Sequence, residues 1–413
     1  MRNELFDAYL ELAASGQRIS RLYNSHSKKK KFKPMLKEMV FADRVLEVKP
    51  SATFKYDAAA KKPGVINLTI GRPDFDTPRI IKDAAKKALD EGKVHYTPSK
   101  GIPELRKAIA EKLAVENNIA NLDADKILVS GGGKQIIYCI VMALAGKGDV
   151  VAIQNPAWVS YEAQIKLAEA EVEWLTLKPE EGFVPGEDFM NQLEETNAKL
   201  LILNSPGNPT GAVIKEKTIK KIMDVCVKKD IFVISDEVYE KLIYEGKHFS
   251  PASEYENVIT VNAFSKTYSM TGWRLGYCAC ADRAVIDRID IVHQQSLSCC
   301  TSFAQYGALA AFSDEAKLAT EQIREELKSR RDYVMKRLSE MDVVCVKPEG
   351  AFYVFPYFNG ADDLELADEL LERGVGVVPG SAFGSQGRGC IRISYGSADI
   401  EMLSQAFDRI IIK

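Results

Sequence analysis

From about residue 76 the chain alternates segments of helical periodicity with short, nearly continuous apolar runs: "KILVSGG", "DVVAIQNP", "EVEWLTL", "KLLILNSP", "IFVISDE", "NVITVNAF" and "RLGYCACA". Apolar runs of this length, bounded by turn residues, suit strands buried on both faces. Helix-length crossings such as "KEKTIKKIMDVCVKKD" between them favour parallel pairing. The pattern predicts an α/β fold over residues 76–305: a mostly parallel seven-stranded sheet with helices on both faces. After about residue 305 it changes to a long charged helix, "SDEAKLATEQIREELKSRRDYVMKRLSEM", then short strands such as "VGVVPGSAF" and "CIRISYG" between further helices. This predicts a smaller α+β domain over 306–413, completed by residues 35–75. Residues 1–34 are set apart as an N-terminal extension. Leu5, Phe6, Tyr9 and Leu10 suit a short amphipathic helix there, and the lysine-rich "KKKKFK" that follows is either a solvated linker or an interaction tail. Met35 offers an alternative start.

Composition narrows the partner. A net charge of -3 over 413 residues leaves no clustered basic face for nucleic acid, and no apolar run approaches the length of a membrane span. Eight cysteines without repeated CxxC spacing and four scattered histidines predict no metal site. Glu4, Asp7 and Glu11 argue against a secretory or mitochondrial signal, and free thiols fit a reducing, cytoplasmic setting. A small molecule is the expected partner.

In open α/β sheets ligands lie beyond the carboxyl ends of the strands, so the loops after these runs should converge. In "NAFSKTYSMTGWRLGY", Lys266 follows Ser265 and precedes Arg274 in a hydroxyl-rich, Gly-punctuated segment, an environment suited to an anion such as phosphate. "SGGGKQ" follows a strand and opens a helix, so the amides of Gly132, Gly133 and Lys134 can face a phosphate with the helix dipole behind them. "ISDEVY" brings Asp236 and Tyr239 to a strand end, "NSPGNPTG" supplies Asn208 in a fixed turn, and "NPAWVSY" supplies Trp158. Taken singly, these residues also suit a helix cap, a self-bonded turn and core packing. Together they match a carbonyl cofactor bearing a phosphate and a pyridine ring. Such a cofactor calls for an imine-forming lysine, an acid at the ring nitrogen, partners for a phenolic oxygen and a flat stacking surface.

These motifs, with "IGRPDFDTP", "HYTPSKGIPELRKAIAEKL", "SDEVYEKLIYEGKHFSP", "GAFYVF" and "IRISYG", resemble the class I aminotransferases of fold type I, within the branch of bacterial aspartate aminotransferases. The resemblance runs from about residue 40 to the end and implies pyridoxal 5'-phosphate as cofactor. It implies that Lys266 forms the Schiff base and moves the proton at the substrate α-carbon. Ser265 and Arg274 would hold the phosphate, Asp236 the pyridine nitrogen, Tyr239 and Asn208 the phenolic oxygen, and Trp158 would stack on the ring. Arg392, helped by the backbone at Gly71, would take the substrate α-carboxylate, with Asn208 and Trp158 also lining the substrate's side. Tyr96 would reach the phosphate in a neighbouring subunit, which implies a homodimer with shared active sites.

Two departures stand out. Ala263 replaces a serine common three residues before the lysine, and Arg72 turns the usual "GEPDF" into "GRPDF", where it is either solvated or a substrate contact. The resemblance implies amino transfer from an amino acid, with aspartate and 2-oxoglutarate the expected pair, by way of a pyridoxamine form. Similar enzymes meet the distal carboxylate with a lysine at the position of Lys134. A prephenate or aromatic aminotransferase and a carbon–sulfur lyase of the same fold remain the alternatives.

Overall fold

A computed structural model describes residues 41–410. The extension 1–34, its lysine run and the boundary at 34/35 lie outside them. The chain divides into two compact units between Leu46 and Glu47. In the first, the described residues form the short exposed helix Asp43–Leu46. The second unit is Glu47 to the C-terminus.

All seven apolar runs form strands of a single sheet. Its strands are β2 (Ile127–Ser130), β3 (Val150–Asn155), β4 (Glu171–Thr176), β5 (Leu200–Asn204), β6 (Phe232–Asp236), β7 (Val258–Ala263) and β8 (Gly276–Cys280), in the order β2-β8-β7-β6-β5-β3-β4. β4, β3, β5, β6 and β7 pair in parallel along it. β5 and β7 are buried at every position, as expected of strands covered on both faces. β8 is the exception, antiparallel to both neighbours, and Gly276 at its start pairs with Ser130 and with Ala263. The reversal brings the beginning of β8, rather than its end, to the edge where the other strands finish. Cys278 and Cys280 on β8 are core residues at 0% and 1% exposure, small hydrophobes as the sequence suggests.

Two smaller sheets complete the unit: β1 (Ile66–Asn67) with β10 (Val375–Gly376), and β11 (Val378–Pro379), β12 (Ile391–Ser394) and β9 (Tyr353–Val354). Against them packs the long helix Asp314–Glu340, N-capped by the Ser313 side chain. Its buried positions, Ala316, Thr320, Ile323, Leu327, Arg330, Arg331, Val334 and Leu338, follow the helical repeat, so a polar sequence still buries one face. Ile323, Leu327, Val334 and Leu338 join one core with Phe352, Tyr353, Ile391 and Ile393. Among the described residues no helix is long and apolar enough to cross a membrane.

Candidate active site

Five strand ends deliver the candidate side chains to one place. β7 runs into the short helix Phe264–Thr267 carrying Ser265 and Lys266, β6 stops at Asp236, β5 leads to Asn208, β3 to Trp158, and β2 to Gly132–Lys134. Arg274 arrives just ahead of the reversed β8. Gly133, Lys134, Trp158, Asn208, Asp236, Tyr239, Ser265, Lys266, Arg274 and Arg392 all line a single cavity of about 440 Å³, the ordinary size of a small-molecule site. Gly71, Arg72 and Ala263 line it too, so the hydroxyl that Ala263 lacks is missing from the cavity wall itself. Gly132 lies just behind, and Tyr96 stands apart at 93% exposure.

Lys266 donates from Nζ to the carbonyl of Gly71. Its ammonium lies 6.0 Å from the Tyr239 ring centroid and 5.7 Å from that of Phe352. Burial, then the charges of Arg392 and Arg274, pull its pKa down to about 7. Asp236 moves the other way. Burial raises its carboxyl to about 6, although the Tyr161 hydroxyl donates to Oδ2 at 2.6 Å and the Val238 amide to Oδ1 at 3.3 Å. A cation set against this carboxylate would lower it again.

Arg392 is 1% exposed, its guanidinium 4.7 Å from the Tyr353 ring centroid and 5.0 Å from that of Phe383. Nη2 donates to the Thr69 carbonyl at 2.5 Å and Nη1 to Asn208 Oδ1 at 3.0 Å, while Nε has no partner among the described residues. A buried, unpartnered guanidinium N–H costs free energy unless an acceptor arrives, and a carboxylate fits the fork. Because the Asn208 oxygen is taken by Arg392, its amide NH2 is left to donate.

The phosphate end is equally specific. Arg274 donates to the carbonyls of Thr271 and Gly131, both at 3.0 Å, and makes no ion pair among the described residues. It holds a left-handed φ of 54°, a conformation uncommon outside glycine. Gly132 holds a φ of 89° that strains any other residue, and an added Cβ would lie 2.8 Å from the Arg274 guanidinium and push it aside. The helix Gly133–Leu144 begins there, and its first N–H groups have no partner within the helix. The Gly132 amide already donates to the Ser130 carbonyl at 2.7 Å, so the expectation that it faces a phosphate fails. The amides of Gly133 and Lys134, the Ser265 hydroxyl and Arg274 remain as a dianion cradle. The donor set thus fits pyridoxal 5'-phosphate at each end: cations and amides for the phosphate, Asp236 for a ring nitrogen, Lys266 for a carbonyl.

Sequence reasoning missed the residues that hold these groups. Tyr161, three residues beyond Trp158, fixes Asp236. Tyr353 meets the Tyr239 hydroxyl at 2.8 Å, and its own hydroxyl lies where a Cβ at Gly71 would fall. Both tyrosines stood inside quoted motifs, but nothing in the spacing marked them. The turn 236–240 is tied down from beneath by a buried polar network. Lys112 pairs with Glu240, the Asn117 amide donates to Glu240 at 2.6 Å, and Ser250 and His248 meet Glu237 at 2.7 Å. Glu237, Glu240 and His248 are close enough together to hold a metal ion, yet the Lys112 ammonium already supplies a cation there. Burial alone would raise the Glu240 carboxyl; Lys112 and His248 together hold it down at about 2.

Two of the site's groups burden the fold. Lys266 titrates near 7 when folded and near 10.5 when unfolded, so its contribution to stability falls as pH drops from 10.5 to 7. Asp236 titrates near 6 when folded against 3.8 unfolded, so its contribution falls as pH rises from 3.8 to 6. Between about pH 6 and 7 both penalties are complete. Protein stripped of cofactor should therefore be stabilised by Lys266→Met, by on the order of a few kcal/mol at pH 6.5 and by almost nothing near pH 10.5. Urea midpoints at the two pH values measure this, and an equal gain at both would dismiss lysine burial as its source.

Comparison with known proteins agrees with this geometry. The family description "Aminotransferase class I and II" matches residues 63–410. A probable aspartate/prephenate aminotransferase of Aquifex aeolicus is 44% identical over 389 residues, covering 89% of this chain and 97% of its own. The aspartate aminotransferase of Pyrococcus abyssi is 44% identical over 381 residues, covering 90% and 97%. Among solved structures, Thermus thermophilus aspartate aminotransferase with maleate superposes with a TM-score of 0.86 at 38% identity, covering 90% of this chain and 99% of that one. With a family match across most of its length and relatives above 40% identity, this chain belongs to the class I and II aminotransferases and is a pyridoxal-phosphate-dependent enzyme of that family.

Proposed function

We propose that the enzyme moves an amino group between aspartate and 2-oxoglutarate, as a cytoplasmic homodimer. The observation that carries this reading is Arg392: a buried guanidinium whose Nε has no partner among the described residues, facing the same cavity as the low-pKa amine of Lys266 and the ammonium of Lys134, which likewise has no ion-pair partner among them. Two cationic groups lining one cavity suit a substrate with two carboxylates. Relatives named for aspartate support the choice. Tyr96, exposed and aromatic, supports a second subunit completing the site, and eight unbridged thiols suit the cytoplasm.

When bound, pyridoxal 5'-phosphate supplies the carbonyl that takes the amino group and a ring that accepts electrons from the substrate α-carbon. The chain does the rest. The helix start at Gly133 and Lys134, Ser265 and Arg274 hold the phosphate, and Trp158 covers a ring face. Asp236, kept in place by Tyr161, holds a proton at the ring nitrogen, while Tyr239 and the Asn208 amide donate to the phenolic oxygen. Arg392 fixes the substrate α-carboxylate. The Lys266 amine, half neutral near pH 7, would take the α-proton and pass it across the nitrogen to the carbon that came from the cofactor's carbonyl, a general base matched to its working pH. Lys134 meets the distal carboxylate.

The first test is spectroscopic. Aspartate should change the absorbance of the loaded protein, and 2-oxoglutarate should restore it. No response to aspartate, with a response to another amino acid, would reject the substrate assignment. Lys134→Ala should lower kcat/KM for aspartate by about 10–100-fold, the value of a charge-assisted hydrogen bond, with a much smaller effect on alanine. Equal losses for both would remove Lys134 from substrate selection.

A further inference from the structure

Phe54 belongs to none of the hydrophobic cores. It lies on the helix Ala52–Ala60, whose buried residues are Tyr56 and Ala60, and is itself 67% exposed, yet it lines the active-site cavity. Its ring centroid stands 5.4 Å from Lys134 Nζ, and that of Trp158 stands 5.2 Å from the same atom. The ammonium has no carboxylate or hydrogen-bond partner among the described residues, so the two rings are its surroundings. Ring quadrupoles hold a cation in this way, best when it is partly stripped of water.

The same two distances suit another occupant. Aromatic rings pack with centroids about 4.5–7 Å apart, so a ring placed where the ammonium now sits would be within stacking distance of both Phe54 and Trp158. Lys134 has a flexible four-carbon stem and stands at the first turn of its helix, free to swing its ammonium outward.

We propose that Phe54 is a specificity-determining residue: with Trp158 it forms a slot that holds the Lys134 ammonium when the substrate carries a distal carboxylate, and admits an aromatic side chain when Lys134 swings out. Phe54 thereby sets the balance between acidic and aromatic amino acids. The inference rests on the proposed amino transfer at this site, and it widens the substrate class.

The test titrates the cofactor-loaded enzyme calorimetrically with maleate, a dicarboxylate, and with 3-phenylpropionate, a monocarboxylate bearing a ring. The wild type should bind both. Phe54→Ala should shift the ratio of the two dissociation constants about tenfold toward maleate, equivalent to about 1.4 kcal/mol of lost stacking. Phe54→Tyr, which keeps the ring, should restore the ratio. Phe54 lies outside the cores, so neither variant threatens folding. An unchanged ratio in Phe54→Ala overturns the slot, as does a wild type that binds maleate but not 3-phenylpropionate. A wild type that binds 3-phenylpropionate but neither maleate nor aspartate leaves the slot standing and rejects the acidic-substrate assignment instead.

Discussion

Lys266→Ala should reduce amino transfer by a factor on the order of 10⁴ or more with every amino acid, because one side chain performs two tasks. In the proposed mechanism it is both the amine that forms an imine with the cofactor's carbonyl and the base for the α-proton. Burial removes the water that would otherwise keep it charged, and the two guanidinium groups of Arg392 and Arg274 push in the same direction. Two neighbouring groups are poorly placed to stand in: Asp236 is committed to Tyr161, and Tyr239 is held well above its ordinary pKa by burial. Lys266→Arg should fail almost as completely, since a guanidinium stays protonated at any working pH. Single-turnover rates with aspartate measure both variants, and retention of even a tenth of the wild-type rate would require another base.

Asp236→Asn should lower kcat by roughly 10²–10⁴-fold. Asparagine preserves the shape and can still accept from Tyr161, but it removes the negative charge that keeps a proton on a ring nitrogen. The informative comparison is Tyr161→Phe, which leaves the charge and deletes one short hydrogen bond to it. That variant should lose about 10–100-fold, the worth of a hydrogen bond to an ion, and its activity should decline at a higher pH on the acid side as the carboxyl protonates more readily. If Asp236→Asn weakened only cofactor binding and left kcat intact, the carboxylate would be an anchor and not an electronic partner.

Much of this arrangement was legible in the sequence because its physics is local. An apolar run ending in turn residues specifies a strand and its end together. The alternation of runs and crossings also fixed which ends share an edge, so Lys266, Asp236, Asn208, Trp158 and Gly133 could be gathered before any coordinate was known. The pairs joined across the fold were illegible. Lys112 meets Glu240 across 128 positions, and Tyr161 meets Asp236 across 75, with no periodicity to announce either. The reversal of β8 was hidden for a related reason: a strand buried on both faces reads the same in either direction. Phe54 was passed over because an exposed aromatic in a short helix carries no sign of the lysine above it.

The separation of Arg392 from the other site residues has a consequence in time. Every side chain on the cofactor's side, and the last strand of the large sheet, has been synthesised by Cys280. The arginine assigned to the substrate carboxylate waits for β12. At ordinary rates of 5–20 residues per second, that gap lasts on the order of ten seconds. A growing chain therefore carries the groups assigned to the phosphate well before it carries the arginine assigned to the amino acid, so the two halves of the site enter each molecule as successive events of its synthesis.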